Sequence, residues 1–64
     1  MLHTDIMTTY EGKQINVSFD NHKDMYNYML ENGITSCRAY TTIASVKVTE
    51  EITITLNDLE KVLP

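Results

Sequence analysis

Sixty-four residues and 7.4 kDa leave room for one small domain and no second core. Nine acidic against five basic side chains give a net charge of −4, while sixteen Ile, Val, Leu and Phe make up a quarter of the chain, above the level of a disordered acidic tail. No apolar run approaches the roughly 20 residues that cross a bilayer, Met1 to Asp5 shows neither the basic nor the apolar stretch of a secretory signal, and Cys37, the single cysteine, excludes an internal disulfide.

The first expected unit is a β-hairpin. Thr4 to Tyr10 is rich in β-branched residues, and Gln14 to Asp20 alternates polar with apolar, the period of a half-buried strand. Glu11-Gly12 between them has the length and the glycine of a two-residue turn. Carried outward from that turn, the register pairs Tyr10 with Lys13, Thr8 with Ile15, Ile6 with Val17 and Thr4 with Phe19. Ile6, Tyr10, Ile15, Val17 and Phe19 then share the buried face, and Asp5, Thr9, Asn16 and Ser18 the wet one.

A helix follows, capped by Asp20 or Asn21 with Asp24 in its first turn. Met25, Tyr26, Met29 and Leu30 form its apolar stripe, with His22 at the edge. Asn32-Gly33 reads as its stop, and Ile34 is placed to fold back on the last turn. Two more strands are expected, with Val48 opposite Ile52, Val46 opposite Ile54 and Ala44 opposite Leu56 across a Thr49-Glu50-Glu51 loop. Ile43 breaks the even-numbered pattern, so a bulge or a change of buried face is expected at Ile43-Ala44. Asn57 with Glu60 has the spacing of a capping box. The last helix turns Leu59, Val62 and Leu63 inward, and Pro64 closes the chain. The fold class is thus α+β, a four-stranded antiparallel sheet from two hairpins with one amphipathic helix between them and a short C-terminal helix, all in one domain spanning 1–64.

Little chemistry assembles on this frame. Cys37 and His22 carry no signature of a nucleophile–base pair, and a cysteine after a loop is an ordinary semi-buried residue. His3 and Asp5 share a strand face at i, i+2, and His22 with Cys37 and Asp24 is a second conceivable ligand set. Two histidines and one cysteine cannot close a zinc site in one chain without carboxylates. The isolated Gly12 and Gly33 form no phosphate loop. The expectation is no catalytic residue, no metal and no cofactor. Lys13, Lys23, Arg38, Lys47 and Lys61 are scattered and the net charge repels phosphate, which disfavours nucleic acid, although a dimer could gather Arg38 and Lys47.

Partner binding is what such a chain is suited to. A domain of about 60 residues buries only about 60% of its unfolded surface, and association compensates for so small a core. A homodimer or a protein partner is expected, with Tyr28, Glu31, Glu50 and Glu51 as partner-binding residues. Tyr28 lies toward the polar side of the helix, and the carboxylates suit a basic groove. The Thr-rich strands of Thr41, Thr42, Thr53 and Thr55 offer edges for pairing. In size and acidity the chain resembles small bacteriophage and mobile-element proteins that inhibit or modulate a host factor by binding it. That resemblance implies a non-enzymatic inhibitor in the host cytoplasm. A small dimeric nucleic-acid-binding regulator is the alternative.

Overall fold

Glu11 and Gly12 both take positive φ, 47° and 79°, the requirement of a two-residue turn whose twist matches that of its strands. In the computed structural model, which describes residues 2–63, this turn joins β1 (His3–Tyr10) to β2 (Lys13–Phe19). Near the turn the register is the expected one, with Tyr10 opposite Lys13. Between Met7 and Thr9 it shifts, so that Met7 faces Val17, Ile6 faces Ser18 and Asp5 faces Phe19. This irregularity overturns the expected faces beyond Thr8. Met7 and Asp5 turn into the protein in place of Ile6 and Thr4, because one extra residue in a strand pair reverses which side chains point inward.

Asn21 begins α1 (His22–Glu31), its side chain accepting the Asp24 N–H at 2.9 Å. Met25 and Met29 are fully buried, but Leu30 is exposed, so the apolar stripe is narrower than its sequence suggests. Gly33 takes the left-handed conformation, φ 66°, and the Ile34 N–H returns to the Met29 carbonyl at 2.8 Å, which buries Ile34 against the helix end.

The second half departs from two simple hairpins. β3 (Ser36–Ile43) pairs along β1, His3 opposite Ile43, Asp5 opposite Thr41 and Met7 opposite Ala39. Ala44 and Ser45 then make a tight turn, φ 52° and 66°, into the two-residue β4 (Val46–Lys47), with Ile43 opposite Val46. β5 (Ile52–Thr55) does not pair with β4. It continues along the same side of β3, Ile52 opposite Ala39 and Ile54 opposite Cys37. The order across the antiparallel sheet is β2-β1-β3, with β4 and β5 in tandem on the outer side of β3. The expected Val48–Ile52 hairpin fails because β3 is long enough to template both segments. Where a change of face was expected at Ile43-Ala44, the chain reverses direction.

α2 (Leu56–Val62) is capped by Thr55 rather than Asn57. Thr55 Oγ1 accepts the Asp58 N–H at 3.1 Å, and Asp58 Oδ2 accepts the Thr55 N–H at 3.0 Å. Leu59 is buried, but Val62 is exposed against expectation. Pro64, expected to close the chain, lies outside the described residues. α1 and α2 contribute Met25, Met29 and Leu59 to one core with Met7, Phe19, Ile34, Cys37 and Ala39, so both helices cover the same sheet face. The Tyr26 hydroxyl donates to Glu60 Oε1 at 2.8 Å, tying the helices together. This contact raises the Tyr26 pKa, chiefly because the neighbouring carboxylate accepts the phenolic proton.

The Ala44-Ser45 turn stores backbone strain that Asn and Gly would relieve. The double variant Ala44→Asn/Ser45→Gly should raise stability by about 1 kcal/mol, read as a higher urea midpoint at unchanged slope.

Candidate functional site

The reversal in β1 sets a carboxylate at the end of an apolar core. Asp5 is 2% exposed, in the cross-strand row Phe19–Asp5–Thr41. Removing an ion of this size from water costs several kcal/mol unless its oxygens are satisfied. One oxygen is: Thr41 Oγ1 donates to Asp5 Oδ1 at 2.9 Å. His3, two residues earlier on the same strand face as its spacing suggests, brings Nε2 to 3.4 Å from Oδ1. His22, the first residue of α1, brings Nδ1 to 2.7 Å from Oδ2. That short contact is out of line for a ring N–H, and both Asp5 Oδ2 and His22 Nδ1 are buried without a hydrogen-bond partner. The imidazoles meet edge to face, centroids 4.5 Å apart.

The cluster opens outward. His3 and His22 are about one-third exposed and line a groove of about 510 Å³ with Lys23, Tyr26, Val62 and Leu63, between the start of α1 and the end of α2. The donor atoms of His3, Asp5 and His22, one from each, all lie within 4.8 Å of one another. Neither Asp24 nor Cys37, expected as companions of His22, belongs to this group. Cys37 lies 3% exposed in the row it shares with Ile54, and burial pushes its thiol up to about 11. The structure thus unites His3 with His22, which the sequence reading kept in separate ligand sets. Asp5, expected on the wet face, points inward because it stands two residues from the buried Met7 on the same strand.

The expected partner-binding residues fall on two sides of the molecule. Tyr28 is half-buried, its ring packed on Phe19 with centroids 5.2 Å apart, and Glu31 ends α1 in solvent. Glu50 and Glu51 lie in the link between β4 and β5, on the outer edge beyond β3. Glu51 Oε1 accepts from Thr8 Oγ1 at 2.9 Å and from Arg38 Nε at 3.2 Å, and these bonds, Thr8 first, lower its pKa. Their stabilising effect is present at neutral pH and is lost as pH falls through that depressed pKa. Glu50 is exposed. Thr41 and Thr42, expected at an edge, sit on a strand paired on both sides.

The outer edge is also where aliphatic side chains are exposed. Val46 is 63%, Val48 51% and Ile52 49% exposed. Val46 sits opposite Ile43, the Val48 N–H donates to the Thr41 carbonyl at 2.9 Å, and Ile52 sits opposite Ala39, so the three occupy successive positions along one edge. Sequence reasoning missed them because it paired Val46 and Val48 with Ile54 and Ile52 in a buried hairpin. Comparison with known protein families, with curated proteins and with solved structures finds no match.

Two outcomes follow from this geometry. Thr41→Val should cost about 1–3 kcal/mol by leaving the Asp5 carboxylate without its donor. The same change in an Asp5→Leu background should cost close to nothing, a coupling readable in a double-mutant urea cycle. At pH 8 a thiol of pKa about 11 is ionised in roughly one molecule per thousand. Labelling of Cys37 by iodoacetamide should therefore be negligible in the native protein and appear only as the chain unfolds.

Proposed function

We propose that this protein is a small non-enzymatic interaction module that binds a larger protein through the β4–β5 edge and occludes the surface it occupies, in the manner of an inhibitor. One observation carries the reading: Val46, Val48 and Ile52 stand half-exposed or more in successive positions beside the exposed Glu50. Scattered exposed aliphatics are ordinary, but a row of three on a sheet edge is surface that binding would remove from water. The acidic side chain beside that row, and the charge of −4, favour a partner surface with an apolar centre and a basic rim, which would speed encounter at low salt. The interruption between β4 and β5 suits this use, since it keeps the edge from serving as a continuous strand template.

A nucleic-acid reading has a narrower basis. Arg38, Tyr40 and Lys47 share the helix-free sheet face, with Lys47 Nζ 4.8 Å from the Tyr40 ring centroid. Glu51 pairs with Arg38, however, and cancels part of the charge such a face would need.

The test uses a photo-cross-linking residue at position 48 and, separately, at position 16 on β2. Under the proposal, position 48 captures one heterologous protein that position 16 does not. Val46→Lys/Ile52→Lys abolishes the capture with circular dichroism unchanged, and Glu50→Lys weakens it roughly tenfold. Identical products from both positions would remove the proposal. So would sedimentation as a dimer whose edge variants are monomeric, because that outcome assigns the edge to a second copy of this chain.

A further inference from the structure

We propose that His3, Asp5 and His22 form a binding site for one divalent first-row transition ion, with zinc as the cation to test. Three features converge on it. The donors are two imidazole nitrogens and one carboxylate oxygen, a set suited to zinc and its neighbours and poorly suited to magnesium or calcium, which take oxygen ligands. Their donor atoms already lie within 4.8 Å of one another. And Asp5 Oδ2 and His22 Nδ1, both buried, face each other at 2.7 Å with no hydrogen bond satisfying either.

That third feature separates a metal site from an ordinary His–Asp pair. In a hydrogen-bonded pair the ring N–H points along its line to the carboxylate, and both atoms are satisfied. Here the 2.7 Å contact makes no such bond, so both buried atoms keep their capacity for a ligand. Ligands about 2.0–2.1 Å from a tetrahedral ion lie about 3.3 Å apart. His3 Nε2 and Asp5 Oδ1, at 3.4 Å, have that spacing. The His22 Nδ1–Asp5 Oδ2 contact, at 2.7 Å, has to open by about 0.6 Å to reach it, and the imidazole that would move is about one-third exposed.

The surroundings fit the same reading. Thr41 Oγ1 donates to Asp5 Oδ1, the kind of outer contact that fixes the orientation of a ligating carboxylate. Three protein ligands leave a fourth position for water, and His3 and His22 both line the groove they share with Lys23, Tyr26 and Val62. The ligands come from the start of β1 and the first residue of α1. An ion held there ties the N-terminal strand to the helix, so binding free energy adds to folding free energy. In a chain with no disulfide this supplies the staple that so small a core otherwise lacks. The site is independent of the β4–β5 edge and of the function proposed for it.

The test is isothermal titration of the chelator-treated chain with zinc chloride, paired with thermal unfolding. The expected result is one zinc per chain, a raised melting temperature that chelator reverses, and no response to magnesium at equal concentration. His3→Gln and His22→Gln should each weaken zinc binding roughly tenfold or more, and the double variant should abolish it while retaining its circular dichroism. Cys37→Ser should bind zinc as the parent does. Absence of zinc binding by the parent chain would overturn the proposal. Undiminished binding by the folded His3→Gln/His22→Gln variant, or binding lost in Cys37→Ser, would do the same.

Discussion

The structure turns on the reversal of side-chain parity at Thr8 in the central strand. β1 is paired on both sides, so its inward set decides which residues of β2 and β3 meet in the core. With the shift, Met7 joins Val17, Ala39 and Ile52 in one cross-strand row, and Asp5 joins Phe19 and Thr41 in the next. Without it, Ile6 and Thr4 would face the helices and both histidines would lose their carboxylate. A single irregularity therefore builds the core and charges its end.

The core it builds depends on adaptable side chains. Met7, Met25 and Met29 are all completely buried. The unbranched thioether of methionine fills irregular gaps, which suits an interior bounded by a kinked strand and two short helices. The helices are short, and they are held by specific devices at their ends: Asn21 and Thr55 at the N-termini, Gly33 with Ile34 behind α1, and the Tyr26–Glu60 bond between them. The two N-caps contribute about 1 kcal/mol each, a considerable share of what a domain of this size holds in reserve.

The two ends of the molecule divide the remaining work. At the open end of the core, between α1 and α2, polar donors crowd round a buried carboxylate. Along the far edge of the sheet, β4 and β5 leave aliphatic side chains uncovered. These are opposite departures from an oil-drop interior, a buried polar side chain and exposed apolar surface. Among the described residues no helix is long and apolar enough to cross a membrane.

Much of the fold was legible from local patterns. The Glu11-Gly12 turn, the Asn21 cap, the Gly33 stop with Ile34 folding back and the α+β order follow from residue types whose backbone preferences act over three or four positions, and the structure has them all. The strand shift at Thr8 and the Ala44-Ser45 turn left no comparable mark, since neither Ala nor Ser announces a positive φ, while the Thr55-x-x-Asp58 capping box was legible but competed with Asn57-x-x-Glu60 two residues on. What only the tertiary structure decided was which strands pair and in what register. Alternation of side chains has a period of two, so one residue gained or lost exchanges the faces while leaving the pattern intact. Composition shows that His3, Asp5 and His22 exist; the pairing of β1 with β3, and the helix laid over them, decides that they meet.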